Sequence, residues 1–173
     1  MSMKIQIVGY SGSGKSTLAK KLGEIYSIPV LHLDTAKYRA DGSERTDEEK
    51  IAIVQKFLDE NDSWVIDGNY KKTCPERFEM SDMTIFLKLN RFVCYFSAKK
   101  RAQRRKTQPD DDFPCEDKFD REFRKWVFWQ GRTRERTKMI YEVLNMTKGK
   151  KIVLKTRKQI NKFLENCKKE IEK

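Results

Sequence analysis

The 173-residue chain has one histidine, His32. Any machinery that needs an imidazole base, such as a Ser-His-Asp or Cys-His arrangement, has only that residue to use. Cysteine is sparse: Cys74, Cys94, Cys115 and Cys167 stand far apart and form no C-x-x-C pair. Ligands at the spacing of a zinc site are therefore lacking, and the thiols read as the reduced ones of a cytoplasmic protein. No apolar run approaches the roughly 18 residues that cross a bilayer. The first residues lack the basic, apolar, small-residue order of a secretory leader, so neither secretion nor membrane insertion is expected. No Gly/Ser-rich linker, internal repeat or low-complexity tract divides the sequence. Residues 1–173 read as a single domain long enough to bury a core.

What the chain has in excess is charge. Charged residues make up 37%, and Lys+Arg 38 against Asp+Glu 26 gives a formal net charge of +12. The hydrophobic share is low at 38%, but aromatics at 11% argue against disorder, because bulky groups drive collapse. Met3 to Val8 is short and β-rich and runs into Gly9. From Ser16 the pattern turns helical, with Leu18, Leu22 and Ile25 about one turn apart. Val30 to Asp34 predicts a second strand, Trp64 to Asp67 a third before Gly68, Thr84 to Leu89 a fourth and Ile152 to Leu154 a fifth. Thr46 with Glu49 has the capping-box form and opens a helix with the stripe Ile51, Val54, Phe57 and Leu58. Asn90 caps a helix reaching about Lys106, and Gln108 to Asp117 reads as a loop. A long helical region follows, with Phe119, Phe123, Trp126 and Val127 on one face, a bend at Gly131 and a continuation through Leu144. Thr156 with Gln159 opens a last helix. Strands alternating with helices predict a parallel sheet covered on both faces. The stretch of about 91–145, helical and without a strand, is the natural place for a lid insertion.

Gly9-Tyr10-Ser11-Gly12-Ser13-Gly14-Lys15-Ser16 fits G-x-x-x-x-G-K-[ST] at every fixed position, with a predicted strand before and a helix after. The glycines let backbone N–H groups turn inward as an anion nest, and the helix N-terminus adds donors and partial positive charge. Lys15 is placed to reach the β- and γ-phosphates, Ser16 to ligate Mg²⁺, and Thr17 to support the phosphate end. The expected ligands are ATP and Mg²⁺. The chain is too short for most motor or AAA-type architectures and has no N-K-x-D guanine motif. Its size and arginine-rich insertion suit a small-molecule or nucleotide kinase.

The phosphate loop, His32-Leu33-Asp34, Trp64-Val65-Ile66-Asp67-Gly68-Asn69-Tyr70 and the Cys115-Glu116 to Trp126 region together resemble the topology modulation protein (FlaR-like) family. Its proteins are small members of the adenylate-kinase-like branch of P-loop kinases. The likeness spans nearly the whole chain, and Asp67-Gly68-Asn69-Tyr70 is its discriminating piece. It implies a P-loop NTPase three-layer α/β/α fold, with a five-stranded parallel sheet and a helical lid, binding ATP with Mg²⁺. Asp67-Gly68 stands where adenylate kinases begin their acceptor motif, but Asn69-Tyr70-Lys71 replaces the Phe-Pro-Arg that follows there. Gln108-Pro109-Asp110 stands where relatives are expected to carry Arg-Pro-Asp.

In an open parallel sheet the carboxyl ends of the strands face the ligand crevice. Asp34, read as the end of the second strand, would orient or deprotonate an acceptor hydroxyl, as a similarly placed aspartate does in sugar and shikimate kinases. Asp67 would hold a Mg²⁺-bound water, and His32, two residues before Asp34, would share its strand face. From Lys88 to Pro109 there are eight basic residues and no acid. Arg101 and Arg105 share a helical face, and Arg132, Arg134 and Arg136 follow the loop. Arg101, Arg105 and Arg134 are the candidate lid cations that stabilise charge on a transferring phosphoryl group. Phe123, Trp126 and Val127 read as core, with Trp129 the aromatic open to a ligand. Two other readings stand beside the kinase: a nucleic-acid-binding protein using nonspecific charge attraction, and a nucleotide-binding protein without turnover.

Overall fold

The structure is a computed structural model describing residues 2–39, 43–107 and 119–171. Lys4–Gly9 (β1) lies at the centre of a five-stranded parallel sheet. Trp64–Asp67 (β3) and Met83–Leu87 (β4) flank it, and Val30–His32 (β2) and Lys150–Leu154 (β5) form the edges, in the order β2-β3-β1-β4-β5. The register pairs Ile7 with Asp67 and with Ile85. The central strands are buried on both faces, which explains their near-continuous apolar sequence. Two buried polar side chains on them are paired: Thr84 with Thr147 at 2.6 Å, and Gln6 with Arg77 at 3.1 Å.

Helices cover both faces. Lys15–Tyr26 (α1), Leu33–Lys37 (α2), Asp47–Glu60 (α3) and Glu76–Met80 (α4) belong to the first half. Arg91–Thr107 (α5), Arg121–Phe128 (α6), Arg134–Met146 (α7) and Arg157–Ile171 (α8) belong to the second. The larger core gathers Ile5, Ile7, Leu18, Phe86, Cys94, Val127, Ile140 and Leu164, and a smaller one gathers Leu33, Val54, Leu58, Trp64, Ile66 and Cys74. Cys74, Cys94 and Cys167 are buried free thiols. Cys115 and the predicted loop at 108–117 lie outside the described residues. Among the described residues no helix is long and apolar enough to cross a membrane.

The Thr46–Glu49 capping box forms on α3, with Val54 and Leu58 buried but Ile51 42% exposed. Asn90 Oδ1 accepts from Phe92 N at 2.9 Å as α5 begins. The long helical region divides at Gly131: α6 ends, a 3₁₀ turn covers Gln130–Arg132, and α7 restarts with Thr133 accepting from Arg136 N. The short α4 has no counterpart in the sequence reading. The main correction is at β2, which stops at His32, so Asp34 does not end a strand. It sits in the first turn of α2. Thr35 Oγ1 bonds His32 O at 2.6 Å, and the Arg45 guanidinium collects the carbonyls of Thr35, Ala36 and Tyr38. The Arg45 contacts satisfy C-terminal carbonyls that a five-residue helix otherwise leaves unpaired.

Candidate active site

The segment between β1 and α1 folds as an anion nest. Gly12 and Gly14 adopt φ of +76° and +94°, a region that side chains disfavour. At Gly12 packing against backbone also demands glycine. A Cβ on Gly12 would lie 2.3 Å from Cys94 O on α5, and one on Gly14 would lie 2.6 Å from the Arg157 guanidinium on α8. The loop closes on itself through Ser13 N to Tyr10 O at 3.1 Å, and Lys15 Nζ donates to the same carbonyl at 3.3 Å. Ser13 Oγ is buried without a hydrogen-bond partner. Thr17 is exposed one residue beyond Ser16.

Asp67, 3% exposed, stands beside the loop at the end of β3. Its Oδ2 accepts from Ser16 Oγ at 2.9 Å, and its Oδ1 pairs with His32 Nδ1. His32 therefore faces Asp67 and not Asp34. After the turn at Gly68, the Asn69 side chain acts as a backbone bridge. Its Oδ1 accepts from Gly9 N at 2.9 Å and its Nδ2 donates to Gly9 O at 2.8 Å. Tyr70 then donates its hydroxyl to Asp34 Oδ1 at 2.8 Å. Burial, with Asp34 nearby, pushes the Tyr70 phenol upward in pKa, so it remains a donor.

Arg77, fully buried on α4, holds this segment in place. It donates to Gln6 Oε1 at 3.1 Å, Cys74 O at 3.0 Å, Tyr70 O at 2.8 Å and Thr73 O. Gln6 in turn donates to Gly68 O at 3.2 Å. Burial lowers the guanidinium to about 10. Sequence reasoning missed Arg77, since nothing local marks one arginine among so many as buried.

The predicted cations are dispersed. Arg101 and Arg105 lie on the α5 row that continues from Cys94 and Ala98, about one and two turns beyond the loop contact at Ala98. Arg134 is exposed at the first residue of α7. Three other arginines touch the loop or its partners. Arg132 lies 4.0 Å over the Tyr10 ring and donates to Leu89 O at 2.9 Å. Arg136 lies 4.3 Å over the Trp126 ring. Arg157 donates to Ser13 O at 3.1 Å and Ser97 Oγ at 2.9 Å. Trp126, read as core, is half-buried and donates to Ser11 Oγ at 3.1 Å, while Trp129 is 61% exposed. The only sequence sign of Arg157 was its place just after β5, beside the ligand crevice.

Among described residues no cluster of three or more His, Cys, Asp or Glu side chains forms a metal site by itself. The Ser16–Asp67 oxygen pair suits a hard cation that shares its coordination with phosphate oxygens and water.

The sequence model of the AAA domain family matches residues 5–125, from β1 into α6. That match covers well over half the chain and corrects the size-based exclusion of AAA-type architectures. No curated protein matches the chain. Among solved structures, shikimate kinase from Acinetobacter baumannii in complex with shikimate is similar at a TM-score of 0.62 and 15% identity, covering 99% of this chain and 94% of that one. Shikimate kinase from Bacteroides thetaiotaomicron gives 0.56 and 15%, covering 99% of both chains. An uncharacterized protein from Eubacterium ventriosum gives 0.55 and 16%, again covering 99% of both. At these identities the likeness is one of fold: a P-loop NTPase three-layer architecture of the adenylate-kinase type.

Proposed function

The chain belongs to the AAA domain family, and from that premise we propose that it is a phosphotransferase, moving the γ-phosphoryl group of Mg-ATP to a small-molecule or nucleotide acceptor. One observation carries this reading: a glycine nest, a lysine and the Ser16–Asp67 pair at 2.9 Å converge at the carboxyl end of the central strands. The loop N–H groups and the α1 N-terminus hold phosphate, and Lys15 reaches the β- and γ-phosphates. Ser16 and Asp67 hold Mg²⁺, with His32 fixing the far Asp67 oxygen. When bound, Mg²⁺ neutralises charge on the phosphate oxygens.

Asp34, exposed and oriented by Tyr70, takes the proton of an acceptor hydroxyl. The bond from the β–γ bridging oxygen to phosphorus breaks, and the bond from acceptor oxygen to phosphorus forms. Residues of about 91–145 act as the helical lid, with Arg101, Arg105 and Arg134 as its candidate cations. The Asp67-Gly68-Asn69-Tyr70 element, bonded to Gly9 and Asp34, supports the finer likeness to topology modulation proteins. Buried reduced thiols support a cytoplasmic setting.

Titration calorimetry tests the reading. Wild type binds ATP in a Mg²⁺-dependent way, Lys15→Ala loses most of that affinity, and Asp67→Asn loses the Mg²⁺ dependence. Labelled γ-phosphate then appears on one member of a panel including shikimate and nucleoside monophosphates, and Asp34→Asn abolishes it. Equal ATP affinity in Lys15→Ala defeats the assignment; binding with slow hydrolysis alone points to a protein without turnover. A second reading, nucleic-acid contact, draws on the net charge of +12. A gel shift lost at moderate salt without sequence preference marks that contact as nonspecific charge attraction.

A further inference from the structure

Tyr10 and Ser11, the first two variable positions of the phosphate loop, are both held by residues of α6, α7 and the 3₁₀ turn between them. The Tyr10 hydroxyl shares a hydrogen bond with Thr137 Oγ1 at 3.0 Å, and Arg132 covers its ring. Ser11 Oγ accepts the Trp126 indole N–H at 3.1 Å, and Arg136 lies 4.3 Å from the centre of that indole. The turn after α6 packs directly on the same ring: a Cβ on Gly131 would lie 3.1 Å from Trp126 Nε1. The indole is thus fixed from below by the loop and from the side by its own chain.

Which edge of the loop this is follows from Lys15, whose ammonium donates to Tyr10 O. That ammonium serves the β- and γ-phosphates, so Tyr10 and Ser11 form the terminal-phosphate edge. Stacking on an aromatic ring uses the face of a guanidinium and leaves its N–H edge for oxygen acceptors.

We propose that Trp126 is a positioning residue: its N–H on Ser11 and its ring against Arg136 set that guanidinium at the terminal-phosphate edge. There Arg136 stabilises the charge on the transferring phosphoryl group and forms no covalent bond. The inference rests on the phosphotransferase reading and names the arginine on α7 that serves it.

The test uses the full chain with Mg-ADP, alone and with aluminium fluoride, a planar mimic of the phosphoryl group in transit. Wild type binds Mg-ADP more tightly when aluminium fluoride is added. Arg136→Ala leaves Mg-ADP affinity unchanged and loses about 100-fold of the tightening, the scale of one preorganised donor. Trp126→Leu does the same. Trp126→Phe keeps the ring and recovers part of the tightening. Ser11→Ala matches Trp126→Phe and adds nothing to it in the double variant, as expected of two ends of one bond. Lys138→Ala removes a charge from the same helix and changes nothing. Full tightening in Arg136→Ala, or Trp126→Phe equal to Trp126→Leu with Ser11→Ala silent, overturns the proposal. So does a wild type that binds Mg-ADP without any tightening. A wild type that binds no Mg-nucleotide at all sinks the phosphotransferase reading first, and this inference with it.

Discussion

Replacing Arg77 with methionine preserves much of the side-chain volume while removing every donor. The acceptors stay behind, because three of the four are backbone carbonyls that no substitution can delete. Tyr70 O and Thr73 O are partly buried and can turn to water, Cys74 O keeps the backbone N–H of position 77, which methionine also supplies, at 3.2 Å, and Gln6 Oε1 is left buried. A stranded buried acceptor costs about 1–3 kcal/mol. We expect a loss of about 2 kcal/mol, a sizeable share of the roughly 5–15 kcal/mol that holds a domain folded. For a chain of this length that lowers Tm by roughly 4–8 °C. Urea denaturation followed by tryptophan fluorescence measures it. The protonation argument adds a second signature. Burial lowers Arg77 to about 10 in the folded state, so the unfolded chain binds more protons only above that pH. Arg77's contribution therefore rises with pH in that alkaline window alone, and the wild-type-minus-variant difference stays flat from about pH 6 to 9. A loss below about 1 kcal/mol with an unchanged m-value would refute the claim that this arginine holds the turn.

Asn69→Ala removes both hydrogen bonds to Gly9; about 1–2 kcal/mol of stability should go, with weaker Mg-ATP binding by calorimetry. Burial pushes the Cys74, Cys94 and Cys167 thiols up in pKa, so all three should resist a thiol reagent at neutral pH until urea unfolds the chain. Thr46→Ala should cost about 1 kcal/mol by unmaking the α3 capping box. Its partner Glu49 is held below the usual carboxylate range by the Thr46 N–H and then by Arg39. Its folded pKa is thus lower than its unfolded one. The contribution exists above the ordinary value and disappears as pH falls through the folded one. The difference between wild type and Glu49→Gln should vanish on acidification.

Much of the molecule was legible in one dimension because its signals are local. The phosphate loop is eight consecutive residues with a strand before and a helix after, and the capping box on α3 needs only Thr46 and Glu49. Strands such as β4 are apolar but for one paired threonine because both their faces are covered. Asp67 could be placed at the crevice because it ends such a strand. Tertiary contacts decided the rest. Val-Leu-His-Leu-Asp alternates like a strand through Asp34, yet the chain turns helical at Leu33, and Arg45 from beyond the next turn collects the exposed carbonyls. Trp126 carries the spacing of a core residue, and only the approach of α6 to the loop turns its N–H onto Ser11. The same holds for cations: composition announces 38 of them, but charge has no periodicity that tells a buried arginine from a solvated one. Arg77, Arg132, Arg136 and Arg157 are distinguished by what folding sets against them, a set of carbonyls, an aromatic ring or the phosphate loop itself.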